Sequence, residues 1–288
     1  MVVETFYNQF KKIGTNMTIK KENDVTKQDF LEKDLCISIG GDSVYLRTAG
    51  FIDNPDLPLL GIDSDESRNS EALCNASIKV EDRDQRVNQI INSLQKSNFS
   101  TFLRSRAKFT TENPKNKQTT KKLILNEAFI ADQDVTRPSD YRAYVDNRDM
   151  GKFKSSGMII STGTGSGGWL LSSRRLTPRK VNSVLEIMGV EDRSQAVVEY
   201  LAAQLNCSLV FPCDSDQQYY YVREGYIAHD NSFSWRSEGY CKEIRVISEI
   251  IEGRVLIDGY YNYELEIGQQ FTIKSAPENS LKCIQLHI

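Results

Sequence analysis

Apolar residues recur at two different spacings along this chain, and the change of spacing divides it. In the first third the pattern is helical or consists of short, wholly apolar runs. Residues 1–34 read as an amphipathic helix around Phe6, Phe10 and Ile13, followed by a short segment carrying Met17 and Ile19. The run Leu35-Cys36-Ile37-Ser38-Ile39 ends in Gly40-Gly41, the pattern of a buried parallel strand entering a tight turn. After a helical stretch, residues 57–62 form a second such run and end in Asp63-Ser64-Asp65. Strand, turn, helix, strand is the order of an α/β domain. Val87, Ile90, Ile91 and Leu94 then fall at i, i+3, i+4 and i+7, one face of a helix over 84–98, with a domain break expected after residue 99.

Beyond residue 100 the apolar period becomes two, in segments such as Tyr141-Arg142-Ala143-Tyr144-Val145, 243–251, 254–257 and 270–274. Short alternating strands with glycine-containing turns predict a β-rich second domain over 100–270. A helical insertion over 176–206 interrupts it. Thr177 as N-cap and Pro178 at the first helical position start one helix with an apolar face of Val181, Val184, Leu185 and Met188, closed by Gly189. A second helix carries Val198, Leu201, Ala202 and Leu205. The polar stretch 110–122 predicts a solvated loop. Residues 271–288 form a tail that can return to the first domain.

Composition narrows the function classes. The 288 residues carry 36 Lys+Arg against 39 Asp+Glu, a net charge of −3, which gives no electrostatic case for duplex nucleic acid or an anionic membrane. The Lys-containing stretch 110–122 has no interleaved aromatic residue to stack on bases. No apolar run approaches the length of a spanning helix. Two distant histidines, His229 and His287, disfavour a histidine-rich metal site, and six cysteines without a C-x-x-C pair read as reduced thiols.

Four short motifs carry the chemistry. Gly40-Gly41-Asp42 sits at the carboxyl end of a strand, where open α/β sheets place ligands. The glycines let backbone N–H groups approach a phosphate, and Asp42 can hold Mg²⁺ or accept a hydroxyl proton; a plain strand-to-helix turn capped by Asp42 or Ser43 competes evenly. Asn126-Glu127 interrupts an apolar run, so these side chains either satisfy each other and the backbone or meet a ligand. Thr162, Gly163, Thr164, Gly165 and Ser166 begin a Gly, Ser and Thr-rich loop after the strand at 157–160, suited to contacting anionic or sugar groups, although a hinge has the same composition. It lacks the Gly-Lys-Ser/Thr of a Walker loop. Asp258-Gly259 between Ile257 and Tyr260 is an ordinary hairpin signal.

In this order and with these gaps, the motifs resemble the NAD kinase family, and within it the mitochondrial-type branch. Gly61-Ile62-Asp63-Ser64-Asp65-Glu66-Ser67-Arg68-Asn69-Ser70-Glu71, Leu125-Asn126-Glu127-Ala128-Phe129-Ile130, Lys154-Ser155-Ser156-Gly157 through Ser166, the helical insertion and Val222-Arg223-Glu224 are similar to that branch, and the likeness covers roughly 35–275. The resemblance implies an N-terminal Rossmann-like α/β domain, a C-terminal β-sandwich, an active site between them, a homodimer and a mitochondrial location. It also implies that Asp42 positions or deprotonates the adenosine ribose 2′-hydroxyl of NAD, with Mg²⁺ and ATP supplying the phosphoryl group. Gly40, Gly41, Asn126, Glu127, Thr162, Gly163, Thr164, Gly165, Ser166 and Asp258 would then hold the nucleotides, with Arg47, Arg104 and Arg106 as weaker phosphate candidates.

The chain departs from the family at Ser43-Val44, where Gly-Thr usually follows the aspartate. Serine brings a Cβ and does not favour φ > 0. Family members also open with a full strand and helix before the segment that begins this chain. These departures leave two competing readings, a catalytically inactive NAD-binding homologue and a lipid kinase of the diacylglycerol or sphingosine type, which shares a Gly-Gly-Asp-Gly motif.

Overall fold

In a computed structural model the residues described are 2–65, 73–79, 81–226 and 236–288. Part of the resemblance, Glu66 to Glu71, and His229 lie outside them. The chain forms two compact units. Unit 1 comprises Met1–Arg106, Asp258–Tyr260 and Ala276–Ile288, and unit 2 comprises Ala107–Ile257 and Tyr261–Ser275.

Unit 1 begins with α1 (Val2–Lys12), then β1 (Cys36–Ile39), α2 (Asp42–Ala49), β2 (Leu59–Asp63), β3 (Ala76–Ser77) and α3 (Arg83–Gln95). β1 and β2 are parallel, with Cys36 opposite Leu59 and Ile39 opposite Ile62. Every residue of β2 is buried, which is why its sequence is a continuous apolar run rather than an alternation. Its core joins Leu60 and Ile62 to Val87, Ile90 and Ile91 of α3 and to Phe6 of α1. The helix predicted to Asn98 stops at Gln95 because Ser97 takes φ +54 and turns the chain into the next strand.

Unit 2 is entered along β4 (Phe99–Glu112) and continues through β5 (Thr119–Ile124), β6 (Glu127–Asp132), β7 (Ser139–Val145), β8 (Arg148–Ser155) and β9 (Gly157–Ser161). Three helices follow, α4 (Trp169–Arg174), α5 (Pro178–Ile187) and α6 (Gln195–Cys207). The strands β10 (Gln218–Arg223), β11 (Glu238–Cys241), β12 (Glu243–Ser248), β13 (Gly253–Ile257), β14 (Tyr261–Leu265) and β15 (Gln270–Leu286) complete the chain. One sheet has the order β11-β10-β9-β6-β13-β14, antiparallel throughout. The other pairs β15 with β12, β12 with β7 and β7 with β8. Phe109, Tyr141, Val246 and Phe271 from this second sheet share a core with Ile130, Met158, Ile160 and Val255 from the first. Two antiparallel sheets over one apolar core make a β-sandwich, so the architecture is α/β plus β, as the sequence predicts.

One expectation needs correction. The stretch 110–122 is not a loop: β4 and β5 form a hairpin across it, with Phe109 opposite Lys122 and Glu112 opposite Thr119. Lysines and threonines on its outer face hide the alternation that Phe109 and Thr111 maintain on the inner one. The helical insertion forms where expected, with Thr177 accepting from the Lys180 amide and Gly189 at φ +72. Its apolar faces are only partly covered, however. Val181, Val198 and Ala202 pack together, whereas Val184, Met188 and Leu205 are exposed.

Candidate functional site

In unit 1 the site grows from the end of β1. The Gly40 amide donates to the Ile62 carbonyl at 3.0 Å, continuing the ladder to β2 by one bond. Gly40 takes φ +156, and a Cβ there would lie 2.6 Å from the Val44 side chain, so both the conformation and the space require glycine. Gly41 is the N-cap of α2, and Asp42 is its first helical residue. A carboxylate in the first turn is favoured by the helix dipole. Its Oδ1 accepts the Leu73 amide at 2.9 Å, a contact that no sequence motif announces. The next residue, Cys74, donates its thiol to the Gly40 carbonyl at 3.6 Å. The Gly-Gly-Asp turn is therefore fastened from the side by residues 73–74.

Ser43 lies on α2 in the right-handed helical conformation and is exposed. The departure from glycine at this position thus introduces no backbone strain. Further along the helix, Tyr45 is fully buried and its hydroxyl hydrogen-bonds with the Cys283 Sγ at 3.1 Å. Burial, and then the neighbouring thiol, push this phenol well above its ordinary range. Arg47 pairs with Glu22 at 3.2 Å, an ion pair of two partly exposed side chains. Arg106 is 2% exposed and donates through Nε and Nη1 to main-chain carbonyls, while its buried Nη2 has no hydrogen-bond partner among the described residues. Arg104 is buried beside it in sequence, with its guanidinium over the Phe102 ring.

In unit 2, Asn126 forms the corner between β5 and β6, and Glu127 opens β6 directly opposite Ser161. The glycine-rich loop starts at the neighbouring strand end, and the two motifs are bonded together. The Thr162 amide donates to the Asn126 carbonyl at 2.9 Å, and the Thr162 hydroxyl donates to the Leu125 carbonyl. Sequence reasoning placed both motifs in one domain, and the β6–β9 pairing explains why they meet.

The loop itself is a 3₁₀ turn, Thr164–Gly167, and its residues divide by what they touch. A Cβ on Gly163 would lie 1.8 Å from the Pro212 carbonyl oxygen, and one on Gly165 would lie 2.5 Å from that of Asn126. These two glycines allow close approach of the protein's own backbone. Ser166 is fully buried, and its hydroxyl donates to the Gly163 carbonyl at 2.7 Å and accepts the Phe211 amide at 3.1 Å. Gly167 is different, with nothing within 4 Å of its Cβ position. Among the described residues the buried Thr164 Oγ1 has no hydrogen-bond partner. The open backbone at Gly167 and this hydroxyl are the parts of the loop that a ligand can still use.

Asp258 begins the β13–β14 turn with φ +49, followed by Gly259 at φ +73, the two left-handed residues of a tight hairpin. It is buried in unit 1 along with Arg106. Among the described residues no group of three or more His, Cys, Asp or Glu is arranged to hold a metal ion, and no helix is long and apolar enough to cross a membrane.

No family profile matches the chain. It is 22% identical to mitochondrial NAD kinase 2 of Xenopus tropicalis over 99% of this chain and 78% of that protein, and 22% identical to its Homo sapiens counterpart over 99% and 72%. An NAD kinase of Flavobacterium johnsoniae is 31% identical over 48% of this chain and 44% of its own length. In fold, the yeast NADH kinase complexed with NADH superposes with TM-score 0.65 at 13% identity, over 96% of this chain and 71% of that one. An Archaeoglobus fulgidus NAD kinase in complex with ATP gives 0.64 at 15% identity, over 98% and 88%. With an α/β unit ending a parallel strand in Gly-Gly-Asp and a β-sandwich carrying Asn-Glu and the glycine-rich loop, the chain shares the fold of these kinase structures and is similar in sequence to NAD kinases. The similarity to mitochondrial NAD kinase 2 extends over nearly the whole chain.

Proposed function

We propose that the chain is an ATP-dependent NAD kinase that phosphorylates the 2′-hydroxyl of the adenosine ribose of NAD to give NADP. The observation that carries this reading is Asp42, placed at the start of α2 and fastened through its carboxylate to the Leu73 amide, in a chain similar along its length to NAD kinases. The ribose 2′-oxygen attacks the γ-phosphorus of ATP, the bond from that phosphorus to the bridging oxygen breaks, and ADP leaves. Asp42 orients the hydroxyl and takes its proton. A loose phosphoryl-transfer transition state asks mainly for positioning and charge neutralisation, so a carboxylate suffices and no histidine is needed.

Mg²⁺ enters with ATP, as an ion held mainly by substrate phosphates and at most one or two carboxylates. Asn126 and Glu127 hold ribose hydroxyls and amide groups of the dinucleotide. Gly163 and Gly165 shape the loop, while Thr164 and the open backbone at Gly167 contact the ligand. Gly40 and Gly41 present backbone to phosphate, and Asp258 contributes to nucleotide binding. The likeness to mitochondrial NAD kinase 2 supports a mitochondrial location. The exposed Val184, Ile187, Met188 and Tyr200 support a homodimer that covers them.

Incubating purified protein with NAD⁺ and Mg-ATP and measuring NADP⁺ tests the reading. Phosphorylation of diacylglycerol or sphingosine in mixed micelles, without NADP⁺, would overturn it.

A further inference from the structure

Helix α2 has eight residues, a length at which an isolated helix is not stable in water, so its position is set by what grips it. Besides the Leu73 contact at Asp42 and the buried Tyr45, a further grip lies at the end away from Asp42. Arg106, on β4, donates through Nη1 to the Ala49 carbonyl at 3.2 Å and the Ile52 carbonyl at 2.8 Å, and through Nε to the Asn279 carbonyl. The last carbonyls of a helix lack intrahelical donors, and one guanidinium here supplies that of Ala49, together with the Ile52 carbonyl just beyond the helix, while tying both to the segment before Leu281 on β15. Burial lowers the Arg106 pKa to about 10, with Asp53 the first of the groups that oppose the shift, so the side chain stays cationic at neutral pH.

A second contact closes the same end. Gly50, the C-cap, has an ordinary right-handed φ of −66, so conformational freedom is not the reason for glycine. Space is the reason: a Cβ there would lie 1.6 Å from the Tyr260 hydroxyl and 2.9 Å from its Cζ. Tyr260 therefore abuts the helix end directly. At 1.5 Å per residue, Asp42 stands about 12 Å from this clamp, at the far end of a short rod.

We propose that Arg106 is a positioning residue for Asp42, acting with Tyr260 through the C-terminal end of α2. The inference rests on the NAD kinase reading, in which Asp42 meets the ribose hydroxyl. Removing the clamp lets the helix tilt, and a displacement of about 1 Å at a reacting group can cost roughly a hundredfold in rate.

The test is Arg106→Met in the wild-type and Asp42→Asn backgrounds, with kcat and KM for NAD⁺ and Mg-ATP measured on protein whose fold is checked by circular dichroism. We expect kcat to fall at least about tenfold with both KM values within about threefold, partial recovery in Arg106→Lys, and less than about a twofold further loss when Asp42 is already Asn, because the group being positioned is then gone. An unchanged kcat, or an equal loss in both backgrounds, overturns the inference while leaving the function intact. If Arg106→Met does not fold, Gly50→Ala and Gly50→Ala/Tyr260→Phe carry the test. The first should lose turnover and the second regain it in part, and failure to regain overturns the clamp. Wild-type protein that forms no NADP⁺ overturns the function, and the inference with it.

Discussion

The glycine-rich loop offers a sharp prediction because two of its glycines sit in opposite surroundings. In Gly165→Ala the new methyl would begin 2.5 Å from the Asn126 carbonyl oxygen, 2.7 Å from its carbon and 2.7 Å from the Ser161 Oγ. Ordinary contact begins near 3.4 Å, so the loop and the Asn126 corner must separate by about 0.9 Å. Backbone is met on one side and a fully buried serine on the other, and neither can rotate away cheaply. Overpacking of this kind costs about 1–3 kcal/mol, and the displaced residue is one assigned to the dinucleotide. Gly167→Ala places its methyl in open space at an ordinary φ and should change stability by less than about 0.5 kcal/mol. Chemical denaturation and steady-state kinetics separate the cases. Gly165→Ala should lower the unfolding free energy and raise KM for NAD⁺ together, whereas Gly167→Ala should raise a nucleotide KM at unchanged stability. Equal stability of the two variants would refute the packing argument, and an unchanged KM in Gly167→Ala would refute its use by a ligand.

Other predictions follow from single contacts. Tyr141→Phe removes a buried hydroxyl bonded to the Ser155 Oγ at 2.9 Å; because Ser155 keeps the Gly157 amide, the loss should be only about 1 kcal/mol, read by urea denaturation, with turnover unchanged. Burial pushes the Cys241 thiol up from its usual range to about 12. Above pH 9 the unfolded chain releases this proton and the folded chain keeps it, so stability should fall between pH 9 and about 12, by up to about 1.4 kcal/mol per pH unit from this thiol. Cys241→Ala should flatten the alkaline slope of unfolding free energy measured by denaturant titration.

Much of the scaffold was legible because its residues answer to local rules. Buried parallel strands need continuous apolar runs, so β1 and β2 stood out. Thr177-Pro178 and Asp258-Gly259 are local signals for a helix start and a tight hairpin, and each lies where its chemistry demands. The polar hairpin at 110–122 was hidden because only one of its faces is buried and the other carries lysine and threonine. The reasons for Gly163 and Gly165 were hidden differently: composition shows that glycine is present but not whether protein or ligand approaches it. Arg106 illustrates the same limit, since a guanidinium looks alike in sequence whether it meets a phosphate or three main-chain carbonyls. The fastening of Asp42 to Leu73 joins residues 31 positions apart through a main-chain amide, which carries no residue-specific signal.

The most direct test of the account is the fate of the ATP γ-phosphate, followed with wild-type protein and Asp42→Asn in parallel, NAD⁺ and Mg-ATP being present and the product position read by ³¹P NMR. Wild-type protein should transfer it to the 2′-oxygen of the adenosine ribose, and Asp42→Asn should slow that transfer to a small but measurable residual rate while binding NAD⁺ within a few-fold of wild type. Absence of 2′-phosphorylated product from folded, NAD⁺-binding wild-type protein, or unchanged transfer by Asp42→Asn, would contradict it.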